Sequence, residues 1–360
     1  MKKSKLTFAV LLVLCLFFTL FSFPLVLADE DFWVSKAPLP LSCWGIVALN
    51  DKIYAIGGSG EYGNFTYSNN AVFEYDPNLD VWTLKNLMPI KRYNFALCSY
   101  ENRIYVIGEP DGLNQVYNPV TDSWENRTFM PTPRTQLEAN VVDGKIYLIA
   151  GRTGGANSTI ALNEVYDIET DTWITKESIP YPVVQYASAV VNKKIYVFGG
   201  QNEYELPLNL NATQIYDTLT DTWTFGATLP KTVWQASAGA TTGNLAPKRI
   251  YVIGGLPEKE FIGVDWVQIY NPETNNWTSG ESMPTARFKL DVVVLNDILY
   301  VMRGSPFFNL NGIYSYENEQ YTPAGYIPEN NLILSGFLFL GIIFLTMKLV
   351  YIRKEKNEKQ

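Results

Sequence analysis

Histidine is absent from all 360 residues, which removes Ser-His-Asp triads, His-ligated zinc and imidazole proton shuttles from the chemistry open to this chain. Cysteine is scarce. Cys15 lies in an N-terminal apolar run, leaving Cys43 and Cys98 either to bridge in an oxidising compartment or to serve as small buried apolar residues. Basic residues are in deficit, 28 against 36 acidic ones, and a nucleic-acid partner, which needs a basic face, is not expected. No metal centre and no cofactor is expected either. Only carboxylate or tyrosine chemistry remains, and no catalytic residue is assigned.

What the chain has in quantity is apolar and aromatic surface. Apolar residues make up 47% and aromatics 14%, with nine Trp and twenty-three Tyr, a composition that favours half-buried pleated strands. Both ends carry long apolar runs. Lys2, Lys3 and Lys5 precede Leu6–Leu27, and Val26 with Ala28 supplies small residues at a cleavage site, so 1–28 reads as a signal peptide; an uncleaved anchor would leave the topology unchanged.

Leu332–Ile352 has membrane-spanning length and is broken only by Lys348, which can snorkel. Arg353, Lys354, Lys356 and Lys359 follow. The positive-inside rule places them in the cytoplasm. The expected organisation is an ectodomain over 29–328, a short stalk and transmembrane helix over 329–352 and a basic cytoplasmic tail over 353–360. The expected location is the cell membrane, single-pass, with the ectodomain outside. Sequons at Asn64, Asn126, Asn157, Asn211 and Asn276 all lie between the two apolar runs, making them candidate glycosylation sites.

Internal repeats decide the fold. An apolar strand with Tyr runs into glycine at Ile53–Gly58, Ile104–Gly108, Ile146–Gly151, Ile195–Gly200, Ile250–Gly255 and Leu299–Gly304. A Tyr precedes an aromatic by seven residues at Tyr75/Trp82, Tyr117/Trp124, Tyr166/Trp173, Tyr216/Trp223, Tyr270/Trp277 and Tyr314/Tyr321. A proline follows after another seven, at Pro89, Pro131, Pro180, Pro230, Pro284 and Pro328. Each unit of about fifty residues reads as four short strands.

This pattern resembles the kelch repeat, with its double glycine and spaced Tyr and Trp, from Trp33 to Pro328. The resemblance implies an all-β fold, a six-bladed kelch-type β-propeller. Glu109 and Arg303 depart from the glycine pair. Kelch-type copper oxidases share no more than the fold, since a His-ligated copper cannot be built here. Trp33 and Pro40 repeat the Trp-to-Pro spacing. The Trp33 strand is therefore expected as the outer strand of blade six, competing with Tyr321, whose segment becomes an added edge or a stalk.

Aligned on the glycine strand, Arg92, Arg134 and Arg287 share one register at the entrance of the innermost strand. Asn94, Gln136, Gln185, Gln235 and Lys289 come two residues later, and Tyr93, Trp234 and Phe288 adjoin them. Together with Gln136, Gln185, Gln235, Trp234 and Arg152 these arginines are expected to line a channel mouth and grip a carboxylate-bearing ligand, or else the arginines pair with the acidic residues of the domain. Glu138 and Asp291, four residues after two of the arginines, are either an acid/base pair in the channel or partners of Arg134, Arg287 or Lys289.

The expected function is a cell-surface binding or scaffolding protein for an extracellular protein or carbohydrate. The alternatives are a carbohydrate-active enzyme such as a sugar-acid mutarotase, which the resemblance allows, and a purely structural surface protein.

Overall fold

A computed structural model describes residues 30–62, 65–109, 111–155, 157–203, 209–258, 262–307 and 315–328. The expected signal peptide, transmembrane helix and tail lie outside the described residues. Among the described residues no helix is long and apolar enough to cross a membrane.

Strand β1 (Phe32–Lys36) opens the described chain. Blade 1 then runs β2 (Gly45–Leu49), β3 (Lys52–Tyr62), β4 (Phe65–Asp76) and β5 (Val81–Leu84). Blade 2 runs β6 (Phe95–Tyr100), β7 (Arg103–Gly108), β8 (Leu113–Asn118) and β9 (Ser123–Arg127). Blade 3 comprises β10 (Ala139–Val142), β11 (Lys145–Ile149), β12 (Asn163–Asp167) and β13 (Thr172–Lys176). Blade 4 comprises β14 (Ala187–Val191), β15 (Lys194–Phe198), β16 (Thr213–Asp217) and β17 (Thr222–Phe225). Blade 5 is β18 (Ser237–Ala240), β19 (Ile250–Ile253), β20 (Val267–Asn271) and β21 (Asn276–Ser279). Blade 6 is β22 (Asp291–Leu295), β23 (Ile298–Met302), β24 (Asn318–Thr322) and, outermost, β1. Each innermost strand touches the next, from β2 around to β22 and back to β2, so the ring is closed.

Local chemistry explains the hairpins. Asn50-Asp51, Asp143-Gly144, Asn192-Lys193 and Asn296-Asp297 put both turn residues at positive φ, the backbone of a tight turn between twisted strands. At the other end of the second strand, Gly199 has φ 61°, and a Cβ there would lie 2.4 Å from the Val233 carbonyl oxygen of the next blade. A side chain at this position would therefore collide with the next blade.

Aromatic rings fill the wedges. The glycine-strand tyrosine of each blade packs on the third-strand tyrosine of the next: Tyr54 on Tyr117, Tyr105 on Tyr166, Tyr147 on Tyr216, Tyr196 on Tyr270, Tyr251 on Tyr321 and Tyr300 on Tyr75, with centroids 5.6 to 6.4 Å apart. In blades 1 to 5 the third-strand hydroxyls reach an Asp or Asn five residues on, as Tyr75 does to Asp80 at 2.5 Å and Tyr270 to Asn275 at 2.7 Å. The same acceptor takes a backbone N–H from the preceding blade, which ties blade to blade.

This bonding corrects one expectation. Tyr321 is the third-strand tyrosine of blade 6, neither an outer aromatic nor a stalk: it pairs across the ladder with Trp33, packs against its ring with centroids 4.9 Å apart and donates to Asp31. Asp31 also accepts the N–H of Glu281 at 2.7 Å, and Trp33 Nε1 donates to the Glu281 carbonyl at 3.0 Å. Trp33 is thus in the outer strand, as expected, and Tyr314 lies outside the described residues. Cys43 and Cys98 are free and buried in different core clusters, so they do not bridge.

Candidate functional site

The propeller places loops of unequal length on its two ends. The turns between first and second strands are mostly tight. The links from second to third strand, such as that from Ile253 to Val267, are long in sequence, and their described ends lie at the end where the innermost strands begin. A cavity of about 690 Å³ runs along the innermost strands. Its rim carries Trp44 and Tyr93, whose rings stand 5.8 Å apart, and its wall includes Asn94, Gln136, Gln185, Gln235 and Lys289.

Those five residues share left-handed φ values between 54° and 59°. Successive backbones bond around the ring, with the N–H of Gln185 donating to Gln136 at 3.0 Å, that of Gln235 to Gln185 at 2.8 Å and that of Lys289 to Gln235 at 2.9 Å. These residues therefore form a polar belt around the cavity. Trp234 is half-buried and pairs its backbone with Leu256 rather than lining the cavity, and Phe288 is buried.

The arginines lie elsewhere. Arg92, Arg134 and Arg287 are 3%, 2% and 0% exposed, so they do not form a ligand-gripping mouth. They sit inside their blades and donate to backbone carbonyls of the second strand: Arg92 to Val106 at 2.8 Å, Arg134 to Leu148 at 2.7 Å and Arg287 to Val301 at 3.3 Å. Carboxylates from the third strand neutralise two of them, Glu164 pairing with Arg134 and Glu319 with Arg287 at 3.0 Å. Arg92 has Gln115 at that position, and burial alone pushes its guanidinium down to about 9. Arg152 is half-buried and pairs with Glu203 at 2.8 Å, a carboxylate that also accepts from Thr159.

The ion pair that does face the channel was not foreseen. Arg303 takes the place of a glycine, with φ 51°, and its guanidinium holds Asp291 through Nε at 2.7 Å and a terminal nitrogen at 2.9 Å. It also lies over the Trp44 ring at 5.7 Å. A bulky residue in a glycine slot was the signal in the sequence. Asp291 therefore pairs with Arg303, not with Arg287 or Lys289.

Glu138 faces the same lumen with an exposed side chain yet with protein around it. That enclosure, with the Asp291 charge adding to it and Arg303 opposing, pushes its carboxyl up to about 8. Among the described residues no group of three His, Cys, Asp or Glu could hold a metal ion. Of the sequons, Asn126, Asn157, Asn211 and Asn276 are exposed, and Asn64 lies outside the described residues.

With this geometry in view, the comparisons with known proteins are specific. The family model for the KLHDC2/KLHL20/DRC7 Kelch-repeats domain matches residues 114–304, and that of the Kelch motif matches residues 40–86. The chain belongs to the kelch-repeat family. Its kelch propeller is 30% identical over 151 residues to human Kelch repeat and BTB domain-containing protein 12, covering 35% of this chain and 24% of that protein. It is also 30% identical over 129 residues to mouse Kelch-like protein 35, covering 35% and 22%, and 30% identical over 147 residues to Beta-scruin of Limulus polyphemus, covering 37% and 16%. The chain thus spans a quarter or less of the length of these relatives. The solved structure of YjhT superposes with a TM-score of 0.64 at 16% identity, covering 79% of this chain and 95% of that one, which shows the shared fold.

Proposed function

We propose that this kelch propeller is a binding scaffold, held at the cell membrane with its propeller outside, that receives a polypeptide partner on the long-loop end. The observation that carries this reading is the open cavity with the Trp44 and Tyr93 rings in tilted contact at its rim, an aromatic pair suited to anchor a partner. Exposed Ile262 and Phe307, bridged to one another on neighbouring loops, extend that surface. Kelch domains generally bind protein partners. The outside location rests on the terminal apolar runs, the basic residues after the second run and the four exposed sequons.

A photo-crosslinking residue at Tyr93, in the cells that make the chain, should capture polypeptide, whereas the same residue at Val120 in a turn at the opposite end should not. Equal capture from both places, or glycan-array binding with no polypeptide adduct, would remove the proposal. A mobility shift on N-glycosidase treatment checks the location separately.

A further inference from the structure

Three polar residues of blade 3, Gln136, Glu138 and Asn140, are two apart in the sequence and all line the cavity. The other acidic side chains near the channel and blade cores have partners. Asp291 is held by Arg303, Glu164 by Arg134, Glu319 by Arg287 and Glu203 by Arg152, while Asp297 accepts several backbone N–H groups. Glu138 differs: only its backbone N–H is engaged, by the Tyr186 hydroxyl, and no described residue donates to its carboxylate.

Two further wall residues keep an unused polar atom, Gln235 its Oε1 and Asn140 its Nδ2, although they are only 7% and 5% exposed. An unpaired carboxylate and orphaned amide atoms on one lumen are a binding chemistry without its ligand.

We propose that Glu138 is the seat of an organic monocation, an alkylammonium or guanidinium head that enters along the propeller axis and sets its charge on the carboxylate. The unused acceptor of Gln235 lies in the same wall. A divalent metal is a poor fit, since it needs several oxygen ligands and among the described residues no group of three acidic side chains could supply them. An anion fits no better, since the guanidinium of Arg303 is already held by Asp291. Lys289, the remaining cation on the wall, has its ammonium 5.9 Å from the Phe288 ring.

Because enclosure keeps a proton on Glu138 up to about pH 8, seating a cation at neutral pH drives that proton from the carboxyl oxygen into the buffer. The cation has two sources, a free amine or a Lys or Arg side chain of a polypeptide. The site itself requires no partner, so its test stands apart from that of the scaffold.

The full-length chain is titrated calorimetrically near neutral pH with n-butylammonium, N-butylguanidinium, butyrate and a short peptide bearing one central Lys. Each titration is run in phosphate and in HEPES, so that the difference in heat counts protons. The two cations should bind with release of up to one proton, and butyrate should not. Glu138→Gln should weaken them by about ten-fold or more and abolish the release, and Glu138→Asp should keep both. Binding of the peptide would add polypeptide side chains as a source, and binding of the small cations alone would restrict the source to free amines. Equal binding by folded Glu138→Gln, preference for butyrate, or no binding by either cation would overturn the proposal.

Discussion

Blades 2 and 3 carry the same arginine on the same scaffold, yet Arg134 has Glu164 at the position where Arg92 has Gln115. Both guanidiniums nonetheless donate to the matching carbonyl of the second strand, Val106 in one blade and Leu148 in the other. The common element is therefore backbone satisfaction, and the carboxylate is an addition. These arginines cap the end of a hairpin whose carbonyls would otherwise be buried without donors.

The comparison predicts unequal costs for the same substitution. Arg134→Met strands Glu164 as a lone buried carboxylate and should destabilise by about 3–5 kcal/mol. Arg92→Met leaves only carbonyls unpaired and should cost about 1–3 kcal/mol. Urea denaturation of both variants decides the matter, and equal midpoints would break the comparison.

A smaller effect tests the reverse. Glu164→Gln converts blade 3 to the arrangement of blade 2, which folds as it stands, so its cost should stay near about 1–2 kcal/mol, below that of Arg134→Met. A larger loss than for Arg134→Met would show that the charge, not the backbone, holds the blade.

Two carboxylates sharpen the contrast between sealed and open sites through pH. Asp297 accepts N–H groups of Thr242, Leu245 and Ala246, and although burial opposes ionisation, these bonds hold its carboxyl below the usual range. The folded state then binds fewer protons than the unfolded one, so this stabilisation is present above the ordinary carboxylate value and lost as pH falls through the folded one. Glu138 has the opposite sign. Its folded value near 8 exceeds its ordinary 4.5, so stability should fall as pH rises between them. Melting temperatures of Glu138→Gln and the parent chain should separate more at pH 8.5 than at pH 5, with the variant favoured at the higher pH. Parallel curves would remove the assigned shift.

Much of the fold was legible in the sequence because the blade is a short-range pattern. Tyr, Trp and Pro recur at fixed spacing, since each blade repeats the same wedge of packed rings. The pattern misled only where the chain leaves it. Taking Tyr314 and Tyr321 as a sixth pair shifted blade 6 by seven residues and hid Glu319, which stands two before Tyr321 as Glu164 does before Tyr166. With that partner hidden, the spacing offers Asp291 as a partner for Arg287, whereas Asp291 belongs to Arg303.

Strand identity, blade number and the closing role of Trp33 follow from local spacing, because a period-two strand and a repeated turn are encoded in adjacent residues. The direction of a side chain at a strand entrance is not so encoded. Arg134 turns into its blade and Glu138, four residues later, faces the lumen, although both precede the same strand. Only the tertiary structure decided between them, since what draws a guanidinium inward is a set of carbonyls and a carboxylate from strands 14 to 30 residues away.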